Sequence, residues 1–159
     1  MADSELLVQT LRRAHYVDIE NLCGLGLPEH EQILLAMARF ERAIGSITGE
    51  RLTVACNHKV APTVGFTLGL SGAQLQRGSG PDGADHALLE ILLDDLNHER
   101  VSSVVVGSGD GCFADALAPY REQLEELVFV APTGSLSHRS LELGDRCYLL
   151  PAPVLRLAS

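Results

Sequence analysis

The sequence predicts an α/β protein, a three-layer α/β/α sandwich around a central, mainly parallel, Rossmann-like sheet. Short β-rich runs alternate with longer helical patterns along the chain, which is how βαβ units read. The run Val101–Val106 ends in three consecutive valines, as expected of a strand buried on both faces. At 159 residues one core suffices, so residues 1–159 read as a single domain.

The elements follow in order. Residues 4–13 predict a helix, so 1–13 precedes a core of 14–150 and a tail of 151–159. Ala14–Ile19 is the first strand. Pro28 opens a helix reaching Ile44, with Ile33, Leu34, Met37, Phe40 and Ile44 at helical spacing. Leu52–Cys56 is the second strand. Pro62 opens a short helix that stops before Gly72. A short strand, Ala73–Gln76, leads into the loop Arg77–Asp82. Gly83–Asn97 is a strong helix, and Val101–Val106 is the fourth strand. A helix over Phe113–Glu125 precedes the fifth strand, Leu127–Ala131. Leu136–Leu143 reads as a short helix and Arg146–Leu150 as a last strand.

Composition narrows the function. The longest apolar runs are short and broken by charge, so no membrane span is expected. The first residues place acids before arginines, the reverse of a secretory signal, and the expected compartment is cytoplasmic. The four cysteines show no CxxC or CxxH spacing, which argues against zinc and disulfides alike; Cys56 and Cys147 read as small buried apolar residues. Net charge is −9 with a single lysine, Lys59. A broad phosphate-gripping face is therefore excluded, leaving only local contact with nucleic acid.

The chemistry concentrates on three carboxylates. Asp18 ends the first strand, and Asp110 follows the fourth within Gly107-Ser108-Gly109-Asp110-Gly111. In open sheets ligands bind beyond the carboxyl ends of the strands, where strand order reverses, and the first and fourth strands are natural neighbours there. Asp85 sits in the first turn of its helix, on the face of Leu88, Leu89, Leu92 and Leu96. That helix leads back into the fourth strand, so it starts at the same edge. Three close carboxylates repel unless a cation or proton intervenes. Hard oxygens favour Mg²⁺ or Mn²⁺. Asn21 and Ser108 offer neutral oxygens nearby. Each aspartate also has a structural role open to it: Asp85 as a helix-dipole partner with Asp82 as N-cap, Asp18 and Asp110 as turn residues.

Other sites are weaker. The glycines after the fourth strand lack the full G-x-G-x-x-G spacing. No G-x-S-x-G elbow occurs, and no Walker lysine follows a glycine loop. Asn57, His58 and Lys59, with Arg77, His138 and Arg139, are candidate substrate contacts that also read as simple loop residues. His86 suits a solvent-facing helix position, with proton transfer beside Asp85 as the alternative. Aromatics are few, which argues against an extended base-stacking platform.

Val17-Asp18-Ile19-Glu20-Asn21, Gly83-Ala84-Asp85-His86-Ala87-Leu88-Leu89 and Gly107-Ser108-Gly109-Asp110-Gly111-Cys112-Phe113, with Ser135-Leu136-Ser137 through Asp145-Arg146, together resemble the NYN-domain family of PIN-like ribonucleases over about residues 14–150. The resemblance implies a PIN-like sandwich of strand order 3-2-1-4-5. It also implies a Mg²⁺- or Mn²⁺-dependent endoribonuclease acting on RNA, with Asp18, Asp85 and Asp110 binding metal and Asn21 and Ser108 supporting them. The family's last motif often carries a second aspartate where this chain has Cys112, a poor ligand for Mg²⁺. Glu20, Asp82, Asp94 and Asp115 are candidates to compensate. The alternative is a degenerate module that binds RNA, a nucleotide or a protein partner. Leu6, Leu7 and Leu11 give a candidate homodimer seam.

Overall fold

The computed structural model describes residues 13–69 and 71–151. The expected N-terminal helix, its dimer seam and all but the first residue of the tail lie outside the described residues. The elements are β1 (Arg13–Asp18), α1 (Ile19–Cys23), α2 (His30–Ile44), β2 (Arg51–Asn57), α3 (Ala61–Leu68), β3 (Gln74–Gly78) and α4 (Gly83–Asn97). Then follow β4 (Ser103–Gly107), α5 (Gly111–Leu117), a 3₁₀ turn (Ala118–Gln123), β5 (Glu126–Pro132), α6 (His138–Leu143) and β6 (Arg146–Leu150). All pairings in the six-stranded sheet are parallel, in the order β3-β2-β1-β4-β5-β6. The expected order 3-2-1-4-5 therefore holds, and β6 extends it. Among the described residues no helix is long and apolar enough to cross a membrane.

Strand alternation sorts the core into two layers. Val17, Val54, Val105 and Val128 pack with Ile33, Phe40 and Val64 of α2 and α3. Ala14, Tyr16, Val106 and Phe129 pack with Leu88, Leu92 and Phe113 of α4 and α5. Asp18 shares the parity of Ala14 and Tyr16. It therefore faces the α4 and α5 layer, and this placement builds the site.

Several boundaries differ from expectation for local reasons. Ile19 leaves the strand to open α1, because Asp18 Oδ1 accepts from the Asn21 N–H at 3.2 Å and starts a helix there. The second helix begins at His30 rather than Pro28: Glu29 and Gln32 close a reciprocal capping box that fixes its start. On it Leu34 is exposed, and Ala36 takes its place in the core. The helix expected over 113–125 ends as α-helix at Leu117 and continues as 3₁₀, because Pro119 has no N–H for the α-helical ladder. β3 runs through Gly78, so Arg77 belongs to a strand and not to a loop.

Candidate cation centre

Three helix starts meet at the carboxyl edge of the sheet. β1 and β4 are paired with Val17 opposite Gly107, so the residues after each strand leave side by side. Gly107 is required for this approach: a Cβ there would sit 2.9 Å from Val17 Cγ2 and 3.2 Å from Phe40 Cε2. Asp110 then caps α5, its Oδ1 accepting from the Cys112 N–H at 2.9 Å. The start of α4 is fixed by backbone contact. A Cβ on Gly78 would fall 2.0 Å from the Gly83 carbonyl carbon, so the end of β3 touches the beginning of α4. Asp85 follows in the first turn, on the same face as Leu88 and Leu92, which are fully buried.

The three carboxylates are linked through Asp85. Asp85 lies within hydrogen-bonding reach of both Asp18 and Asp110. Asp18 and Asp85 are 6% and 7% exposed. Asp85 Oδ1 is sealed from solvent and has no hydrogen-bond partner. Burial, then the Asp85 carboxyl, push Asp18 up to about 9. Burial also raises Asp85, and the Asp110 charge adds to it. Asp110 is held below the usual carboxylate range, first by the Cys112 N–H and also by the Arg139 charge. Without a cation the cluster thus retains a proton between Asp18 and Asp85.

The surrounding residues hold the loops in place. Asn21 Oδ1 accepts from the Gly109 N–H at 2.9 Å, tying α1 to the β4–α5 loop. Ser108 is fully buried, and its Oγ accepts from the Asp110 N–H at 3.2 Å. It orients Asp110 and does not line the cleft. A cleft of about 730 Å³ opens above the aspartates. Its walls include Glu20, Asn21, Leu25, Leu27, Asn57, Lys59, Asp82 and Ser135.

Sequence-predicted residues therefore divide. Asp18, Asp85, Asp110, Asn21, Asn57 and Lys59 converge on the cleft. Arg77 does not: it is exposed on edge strand β3, facing away from the side that buries Gly78. Arg139 lies beside the cleft rather than in it, paired with Asp115 at 3.2 Å and with its guanidinium against Gly111. Of the possible compensating acids, Glu20 and Asp82 line the cleft. Asp94 sits near the far end of α4, paired with Arg100. Asp115 is occupied by Arg139. Leu25, Leu27 and Ser135 are wall residues that sequence reasoning missed; nothing in their local pattern marks them, because loop geometry puts them there.

No protein-family model matches the chain, and no curated protein matches it. The donor set itself fits a divalent cation. Asp85 presents a buried carboxylate oxygen with no protein partner, beside two further carboxylates. Isolated buried carboxylate charge is strongly unfavourable unless a proton or a metal compensates it. Asp85, Asp110 and Cys112 also place one donor atom each within 4.8 Å of one another.

Proposed function

We propose that the protein is a divalent-metal-dependent endoribonuclease of the NYN, PIN-like kind, with Asp18, Asp85 and Asp110 holding Mg²⁺ or Mn²⁺. The observation that carries this reading is the buried Asp85 carboxyl, which lines the cleft, interacts with the carboxyls of both Asp18 and Asp110, and has an Oδ1 that no N–H or hydroxyl donor reaches. A bound ion of this type supplies a polarised phosphate and an activated water.

The chain's own residues supply the rest. Asp110 stays ionised under the Cys112 N–H and the Arg139 charge. Asp18 and Asp85 give up their shared proton when a cation replaces it. Asn21 fixes the Gly109 turn, so Asp110 keeps its position as substrate enters. Among the described residues Lys59 is the one basic residue on the cleft wall, suited to a single phosphate contact. That local contact, on a chain of charge −9, favours a short single-stranded or flexible RNA segment over a duplex. The four cysteines are free thiols, which supports a reducing, cytoplasmic setting.

Cys112 favours a second reading, a module that binds without cutting, because a thiol stands where a fourth carboxylate would complete the centre. Labelled RNA incubated with Mn²⁺ separates the two. The nuclease reading expects cleavage by wild type and loss in Asp110→Asn. Equal, negligible cleavage by both, with RNA still bound, would establish the module instead.

A further inference from the structure

The four cysteines are not equivalent. Cys23, Cys56 and Cys147 each direct their thiol at a backbone carbonyl, of Gln32, Gln76 and Ser140, at 3.8, 3.8 and 3.7 Å. Each is satisfied within the fold. Cys112 is directed at carboxylates: its thiol interacts with Asp110, and its sulfur lies within 4.8 Å of donor oxygens of Asp85 and Asp110. It is half-buried in the first turn of α5, so its side chain has room to turn. Three donors on one ion of this kind stand about 3–4 Å apart, given metal–ligand distances near 2.0–2.3 Å. The three donor atoms lie within 4.8 Å of one another, so side-chain rotation over about 1 Å suffices to bring them onto one ion. Asp85, 7% exposed, also carries a buried Oδ1 that receives no hydrogen bond from an N–H or hydroxyl donor.

We infer that Asp85, Asp110 and Cys112 form a mixed oxygen–sulfur centre that takes a borderline divalent ion, Mn²⁺, Co²⁺ or Zn²⁺, in preference to Mg²⁺, with the Cys112 sulfur as a direct ligand. The inference rests on the cation-binding reading above and narrows its metal. Sulfur is a poor ligand for Mg²⁺, which demands near-ideal octahedral oxygen geometry, and a good one for Co²⁺ and Zn²⁺. The thiol loses its proton to solvent as the metal–sulfur bond forms, and no redox step is involved.

Cobalt gives a readout independent of cleavage. The full chain, stripped of metal, is titrated with Co²⁺ and followed for the near-ultraviolet thiolate-to-cobalt charge-transfer band. Mn²⁺ binding is measured in parallel by electron paramagnetic resonance. The band is expected in wild type and in Cys147→Ser, and absent in Cys112→Ser, which still binds Mn²⁺ through its carboxylates. Cys112→Asp is expected to shift the Mg²⁺-to-Mn²⁺ preference toward Mg²⁺ by about tenfold. Circular dichroism confirms that each variant is folded. Saturable Mn²⁺ binding without a cobalt band in wild type overturns the sulfur ligand and leaves the cation centre standing. No binding of either ion overturns both. A band without RNA cleavage supports this inference and counts against the nuclease.

Discussion

At the amino edge of the sheet Glu50 meets Arg13, Asp95 meets Arg51 and Arg100, and Asp145 meets Arg121. At the carboxyl edge Asp18, Asp85 and Asp110 have no basic partner in an ion pair among the described residues. Both edges bury carboxylates: Asp95 is 2% exposed and Asp85 7%. Asp95 is fully engaged, since the Tyr16 hydroxyl also donates to it at 2.6 Å. Asp85 has one buried oxygen that no N–H or hydroxyl donor reaches, and its neighbours are other carboxyls. The same residue type is thus compensated at one end of a helix and left uncompensated at the other. Helix α4 therefore does two things: its last turn anchors the fold through ion pairs, and its first turn holds a buried carboxyl that has only other carboxyls beside it.

The comparison can be broken at four points. The largest effect is on activity. On the proposed nuclease reading, Asp18→Asn is expected to lower Mn²⁺-dependent RNA cleavage by about a thousandfold or more, since that reading makes both the ion and an activated water depend on the cluster. Single-turnover assays at saturating RNA would show it, and thermal melting of the same variant should show no loss of stability. An unchanged rate would remove Asp18 from the site.

Next comes the amino edge. Asp95→Ala is expected to cost about 2 kcal/mol, chiefly because it strands the buried Tyr16 hydroxyl; the half-exposed Arg51 and Arg100 turn to solvent, and Arg100 keeps Asp94. Urea denaturation measures this. A loss below the noise of the method would mean that the network contributes nothing net.

The same edge also predicts acid sensitivity. His15 is fully buried, and burial pushes it down to about 4, despite Glu50 Oε2 lying 3.4 Å from Nε2. Glu50 is already engaged by Arg13, whose charge opposes protonation of His15, while Glu41 weakly favours it. Because the folded pKa lies below the unfolded value of 6.5, the unfolded state takes up more protons between the two. His15 stability is therefore complete above pH 6.5 and declines as pH falls toward 4, by about 3 kcal/mol in all. Denaturation curves across that window should show the slope in wild type and lose it in His15→Phe.

The smallest effect is a gain. Asp85→Asn replaces an uncompensated buried carboxyl with a neutral amide, and metal-free stability should rise by about 1 kcal/mol. Mn²⁺ should then stabilise the variant less than wild type, which calorimetric melts with and without the ion would record. A destabilised variant would mean that Asp85 is satisfied in a way the geometry does not show.

Much of the site was legible because it rests on periodicity. Asp18 and Asp110 follow from strand ends, and Asp85 from the leucine face behind it. The three reach one edge wherever β1 neighbours β4. What the sequence hid depends on contacts between distant segments. Arg77 read as a loop residue because Gly78 and Gly80 look like turn glycines, although Gly78 ends a strand and is there for close packing. Ser108 read as a supporting oxygen beside an aspartate, with the manner of support left open; in the fold its Oγ accepts from the Asp110 N–H, a contact that sequence does not specify. Asp94 is nine positions beyond Asp85, about 13 Å along a helix, and that spacing alone places it at the other edge.

The contact between Gly78 and Gly83 brings two jobs together within a few residues of chain. It pins the root of α4 beneath the segment 79–82, which adds the Gly83 N–H to Gly80 carbonyl and His86 N–H to Asp82 carbonyl bonds to the same helix start. Gly80, Pro81 and Asp82 also form part of the cleft wall above. The mouth of the cleft is thus a collar seated on a fixed rim: one short run of chain both shapes the opening and keeps the carboxylates beneath it in register.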